Sequence, residues 1–307
     1  MSKKRMYHTG TGPAVLLVLI STLGFSVYPI FGKIVFAGGA SLATVLFVRF
    51  TIAAIVFWTI TIWLEGFPRL SLKTWLILWG MGGIGYSMMA GLYISSVLYI
   101  PASLAALLLY AYPVIVTFLA VLTKQERFSV FKLAGVVLAT LGLVLVLGLA
   151  LQGISIIGVS LALGAAFVYS VYIIIGNKML ETVTPLVSTA IISTSAAVTY
   201  GTIGLPIGGA TWHLSGHTWL GILGIILFST IIAMLTFFQG IKQIGATSAS
   251  IISTSEPVMT VIFAVILFNE HLTIIQGIGG TFVVIGGILA VISPSSKMPR
   301  QLNSPAG

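Results

Sequence analysis

Ten runs of apolar residues, each long enough to cross a lipid bilayer, leave this chain almost no other way to fold. A bilayer core of about 30 Å takes about 20 residues of helix. Runs of that length are expected at Pro13–Ala37, Ser41–Leu64, Lys73–Val97, Pro101–Leu122, Val130–Leu151, Ile154–Gly176, Thr184–Ile207, His217–Gly240, Ala246–Phe268 and Leu272–Ser293. Backbone polar groups in lipid must be satisfied within the segment, so the runs read as helices of an all-α membrane protein. The longest connections lie near Glu65–Leu72, Thr123–Ser129 and Gly208–Gly216 and leave no room for a soluble domain. Only 6% of the residues are charged, against roughly 25% in a soluble domain, too few to cover a water-facing surface. A disordered chain would need the opposite balance of charge and hydrophobicity. Residues 294–307, rich in Pro and Ser, read as a disordered cytoplasmic tail.

The net charge of +9 is first an ambiguous number, since basic chains also bind nucleic acid. Placement resolves it. With the N-terminus inside, the inner ends collect Lys3, Lys4, Arg5, Arg69, Lys73, Lys124, Arg127, Lys132, Lys178, Lys242, Lys297 and Arg300, and the outer loops hold no Lys or Arg. Lys33 and Arg49 alone lie elsewhere, within spans. This asymmetry predicts both termini in the cytoplasm, an even number of spans and a multi-pass protein of the cell membrane. The excess charge therefore encodes topology, and no nucleic-acid partner is expected. A cleaved signal peptide is not expected either, because the first apolar run exceeds the 7–15 residues of such a segment.

Shifting the chain by 144 residues, without a gap, superposes its two halves. Ser26-Val27-Tyr28 falls on Ser170-Val171-Tyr172, and Thr74-Trp75-Leu76 on Thr218-Trp219-Leu220. Pro113-Val114 falls on Pro257-Val258, Glu126 on Glu270, Gly135 on Gly279 and Gly142 on Gly286. The halves are read as repeats over residues 14–150 and 154–293, with five spans each. Five is odd, so the two enter the membrane from opposite sides, as inverted repeats. That arrangement suits alternating access around a midplane site.

These residues resemble the EamA family of the drug/metabolite transporter superfamily. The pieces that carry the resemblance are Arg49-Phe50, Tyr112-Pro113-Val114 followed by Glu126-Arg127, and Glu256-Pro257-Val258 followed by Glu270-His271-Leu272. Gly135, Gly142, Gly279 and Gly286 complete them. The similarity covers residues 14–149 and 158–293. It implies a carrier and leaves the cargo open: similar proteins export amino acids, drugs or other small metabolites, and some relatives import choline or nucleotide-linked compounds.

Within the spans, Glu256 stands out as the acid farthest from a span end, roughly 15 Å from each end of its helix. A charge there costs on the order of 3 kcal/mol and faces the bundle interior. Two readings stand side by side: a proton or cation site, and a carboxylate satisfied by Arg49 or by hydroxyls. Arg49 lies at a depth that differs by only about 6 Å, so the two are expected to pair or to share a substrate; outward snorkelling of Arg49 is the rival reading. Tyr28, Tyr86, Tyr93, Tyr110, Tyr112, Tyr169 and Tyr172 also lie inside spans rather than in interfacial belts. An aromatic-lined cavity for apolar, aromatic or cationic cargo is one explanation, and helix packing the other. Pro113 and Pro257 each remove one helical hydrogen bond at matched points, giving a helix break or a static kink. The paired glycines suggest close helix packing, with a homodimer contact as one use. Glu126 and Glu270 read as loop or helix-cap groups, and Trp75 and Trp219 as interfacial anchors.

The expected function is a secondary-active transporter, an exporter of small metabolites or drugs, with proton exchange at Glu256. Its partners would be a small-molecule substrate and the bilayer. No cofactor is expected. No P-loop is present to supply an ATPase. An intramembrane enzyme would need paired acids, a Ser/His arrangement or a metal motif, and the spans hold one deep Glu, no Asp and no Cys. A sensor or scaffold on a transporter fold, a channel, and an importer of a small cationic metabolite are the remaining alternatives.

Overall fold

The computed structural model describes residues 11–100, 102–148, 155–268 and 273–292. Every regular element among them is helical. Span one is Thr11–Ala37, span two Leu42–Leu64, span three Leu72–Ser96, span five Val130–Leu147, span six Ile156–Met179, span seven Pro185–Gly208, span eight Gly216–Ile244 and span ten Ile274–Ile292. Span four is made of Ala102–Leu109 and Tyr112–Leu122, and span nine of Ala246–Ser253 and Glu256–Phe268. The expected ends shift at three places. Span five stops at Leu147 because Gly148 takes a positive φ of 73°, and span six continues to Met179. Span eight reaches Ile244, where Gly245 ends it at φ 84°. Glu270, His271, the tail and the first ten residues, with Lys3, Lys4 and Arg5, lie outside the described residues.

The duplication is visible in local chemistry. Spans three and eight start on the same cap: Ser71 accepts from the Thr74 amide and Ser215 from the Thr218 amide, each at 3.2 Å. Such a cap contributes about 1 kcal/mol by satisfying an otherwise orphaned amide.

Packing follows the same exchange of halves. Span one lies against span eight and span three against span six; span one also touches span nine, as span six touches span four. Spans three and seven pack together, as do eight and two. Spans two and seven, four and nine, and five and ten each pack against their own counterparts. Swapping the halves turns this set of contacts into itself, which fits two inverted five-helix repeats around a pseudo-two-fold axis.

Spans five and ten meet along the matched glycines. A Cβ on Gly142 would lie 2.5 Å from the Gly279 carbonyl oxygen, and one on Gly135 would lie 2.7 Å from that of Gly286. The glycines therefore serve an intramolecular contact between spans five and ten, as small residues do where membrane helices approach closely. Outward-facing side chains such as Trp63, Ile156 and Ile266 are apolar and exposed, as a lipid-facing surface requires.

The helices are interrupted at matched depths. In span four the break falls at Tyr110 and Ala111, and in span nine at Thr254 and Ser255, again 144 residues apart. Pro113 has no N–H for the Leu109 carbonyl, and Pro257 none for that of Ser253. Nearby amides tighten to three-residue bonds: Ala111 donates to Leu108 at 3.1 Å and Ser255 to Ile252 at 3.0 Å. Spans three and eight contain π-helical turns, Met81–Tyr86 and Leu227–Ile232, which overlap when the repeats are superposed. Such turns occur often at functional positions.

Candidate transport site

The π-turns of spans three and eight converge on Arg49 of span two. Its Nε donates to Thr230 Oγ1 at 2.6 Å, and a terminal nitrogen donates to the Tyr86 hydroxyl at 3.2 Å and the Ser229 carbonyl at 3.4 Å. The guanidinium lies 5.2 Å from the Tyr28 ring centre and 5.0 Å from that of Phe50. Arg49 is 5% exposed. A buried cation persists only where donors are used and π faces or dipoles surround the charge, and the hydroxyls, carbonyl and rings supply both. Gly24 of span one lets the span-eight turn come this close: a Cβ there would lie 2.5 Å from the Phe228 carbonyl oxygen, and Ser229 Oγ donates to the Gly24 carbonyl at 2.6 Å.

Glu256 is the first residue after the span-nine break and is half-buried. Its electrostatic neighbours are the phenols of Tyr93, Tyr110, Tyr112 and Tyr169. The hydroxyls of span nine do not compete for it. Ser250, Ser253, Thr254 and Ser255 donate to carbonyls one turn earlier in their own helix, at 2.6–2.9 Å.

An aromatic chain joins the two charged residues. Tyr86 meets Tyr172 at 6.5 Å between ring centres, Tyr172 meets Tyr169 at 6.0 Å, Tyr169 meets Tyr112 at 4.8 Å, and Tyr112 meets Tyr110 at 6.1 Å. These distances lie within the range of favourable ring pairs. Tyr93 lies within electrostatic range of both Tyr28 and Glu256. Tyr112 and Tyr172 are buried, whereas Tyr28, Tyr86, Tyr93, Tyr110 and Tyr169 remain partly open.

The direct Arg49–Glu256 pair expected from depth is absent. The ion pair found among the described residues joins Lys132 to Glu126 at 2.6 Å. Arg49 turns instead to span eight, because Thr230 and Ser229 offer it buried acceptors. Glu126 Oε1 also accepts from the Thr247 amide at 3.2 Å, so this carboxylate caps the start of span nine across the repeat boundary. Trp75 is half-buried and stacks on Trp58 at 6.1 Å. Sequence reasoning missed Thr230 and Ser229. The signal was available, since Thr230 is the repeat counterpart of Tyr86. Among the described residues no group of His, Asp or Glu is arranged to hold a metal ion.

Comparison with known proteins gives a consistent result. The model of the EamA-like transporter family matches residues 12–148 and 156–292. The uncharacterized transporter YcbK of Bacillus subtilis is 26% identical over 302 residues, covering 94% of this chain and 95% of its own. An uncharacterized transporter of Clostridium kluyveri is 25% identical and covers 89% of this chain and 91% of its own. A solved crystal structure shares the fold with a TM-score of 0.78 at 20% identity, over 91% of this chain and 97% of that one.

Proposed function

Because the chain belongs to the EamA-like transporter family, we propose that it is a secondary-active exporter of small metabolites or drugs carrying a protonatable amine. It works by alternating access at the cell membrane, with both termini in the cytoplasm. The observation that carries this reading is Glu256, a half-buried carboxylate at a helix break, ringed by tyrosines. A carboxylate among aromatic faces suits an ammonium group, which gains from the charge and from the ring quadrupoles together. Glu256 holds either a proton or the cargo amine, so loading one displaces the other. This competition couples export to the proton gradient.

Arg49 acts as a positioning residue in this scheme. Its hydrogen bonds to Tyr86 and Thr230 hold the two π-turns in register, and Tyr28, Tyr86, Tyr93, Tyr112 and Tyr172 line the route between Arg49 and Glu256. The breaks at Pro113 and Pro257 supply the flexing points of spans four and nine.

The test is a screen of amine-bearing compounds in reconstituted vesicles, with and without an imposed proton gradient. Gradient-dependent, saturable movement of at least one compound is expected. Compounds that move equally well without a gradient would contradict the proton-coupled reading.

A further inference from the structure

A cavity opens at the lysine-rich face, and none of its lining residues is a tyrosine. Its volume is about 910 Å³, and its walls carry Lys73, Lys124, Lys178 and Lys242 with a single acid, Glu181. Lys73 lies at the start of span three, Lys178 and Lys242 in the last turns of spans six and eight, and Lys124 in the turn after span four. Among the described residues Glu181 forms no ion pair with Lys73, Lys124 or Lys178, and these three lysines against one acid leave the walls net positive. Topology alone puts lysines at one face of a membrane protein, but it does not turn four of them, from four parts of the chain, into one concavity.

The cavity is separate from the tyrosine-lined site. Asn177 donates to Gln125 at 2.6 Å and Gln125 to the Ile174 carbonyl at 3.2 Å, tying spans six and four across its wall. Near Gly176, the side chains of Met81 and Phe238 belong, with Leu78 and Tyr172, to one buried core cluster.

We infer that this vestibule is a binding site for a multivalent oxyanion, a phosphate-bearing group that approaches from the lysine-rich face. Like charges on a concave, low-dielectric wall focus the field and concentrate counter-ions. Lysine ammonium groups bind phosphate as point charges, without the fixed fork that arginine imposes. The site therefore selects for charge and valence over shape. Bound there, an oxyanion also neutralises charge that would repel an amine-bearing cargo, a consequence that rests on the function proposed above. The phosphate can come from a soluble anion or from the headgroup of an anionic lipid.

The test is amine-reactive labelling of the native protein, read at Lys73, Lys124 and Lys178 by mass spectrometry. Pyrophosphate is compared with sodium chloride at matched ionic strength in detergent, and phosphatidylglycerol vesicles with phosphatidylcholine vesicles. Roughly tenfold slower labelling is expected at about nine times the dissociation constant, from the occupancy of a single site. Protection by pyrophosphate identifies a soluble oxyanion. Protection in phosphatidylglycerol alone identifies the lipid phosphate. Pyrophosphate binding measured by calorimetry on the parent should disappear in the triple variant Lys73→Gln, Lys124→Gln, Lys178→Gln. Equal labelling in chloride, in pyrophosphate and in both vesicle types would overturn the inference, whatever the protein is found to export.

Discussion

Tyr86 and Thr230 occupy the same position in the two repeats, and both accept a hydrogen bond from Arg49, at 3.2 Å and 2.6 Å. One cation therefore ties the π-turn of span three to the π-turn of span eight across the pseudo-axis. The repeat counterpart of Arg49 is Ser193, whose hydroxyl lies 3.9 Å from the Met234 sulfur. The fold is duplicated, but the pin at its centre is single.

Replacing Thr230 by Val keeps the volume and removes the acceptor of Nε. Bonds to charged groups contribute about 2 kcal/mol, and more is lost when a buried donor is left unpaired. Thr230→Val is expected to lower the thermal midpoint in detergent more than Tyr86→Phe, whose bond is longer. The two effects should not add: a double-mutant cycle is expected to give a coupling of about 1 kcal/mol, carried by the shared guanidinium.

Arg49→Lys keeps the charge and loses the planar fork. A single ammonium cannot reproduce donation in two directions while lying against the Tyr28 and Phe50 faces. The variant is expected to fold with reduced stability and to transport poorly. Circular dichroism melting and vesicle uptake read the two effects separately.

Glu126 and Lys132 are 4% and 5% exposed, so removing the carboxylate takes from a buried ammonium its partner at 2.6 Å. Glu126→Gln is expected to cost about 3–5 kcal/mol of stability. Adding Lys132→Met should recover much of that loss, as measured by the same melting assay. If the double variant melted no higher than Glu126→Gln, loss of this buried pair would not be the cause.

Gly142 has no room for a side chain against span ten, whereas a Cβ on Gly277, within span ten itself, meets nothing within 4 Å. Gly142→Val is expected to abolish folded protein, judged by monodisperse elution in detergent. Gly277→Ala should elute normally and melt slightly higher, since alanine improves a helix interior by about 1 kcal/mol.

The spans, the duplication and the family resemblance were all legible in the sequence, because apolar length and a fixed offset need no tertiary knowledge. The breaks at Tyr110–Ala111 and Thr254–Ser255 were partly legible, since Pro113 and Pro257 mark where a helical bond must fail. The partners of Arg49 were not. Depth along a helix places Arg49 and Glu256 at similar levels, but it does not say toward which neighbour a side chain turns. That depends on the close approach of spans one and eight at Gly24. The lysine vestibule was invisible for the same reason. Counting cations at a face gives topology, and only packing shows which of them share a cavity.

The central claim, that Glu256 couples cargo movement to a proton gradient, is tested most directly by one comparison. Parent and Glu256→Gln proteins are reconstituted in matched vesicles, a proton gradient is imposed, and accumulation of a transported amine is followed against its concentration outside. The parent should accumulate the compound above equilibrium and lose that accumulation when the gradient is collapsed, and the variant should show no accumulation under either condition. Gradient-driven accumulation by Glu256→Gln equal to that of the parent would contradict the account.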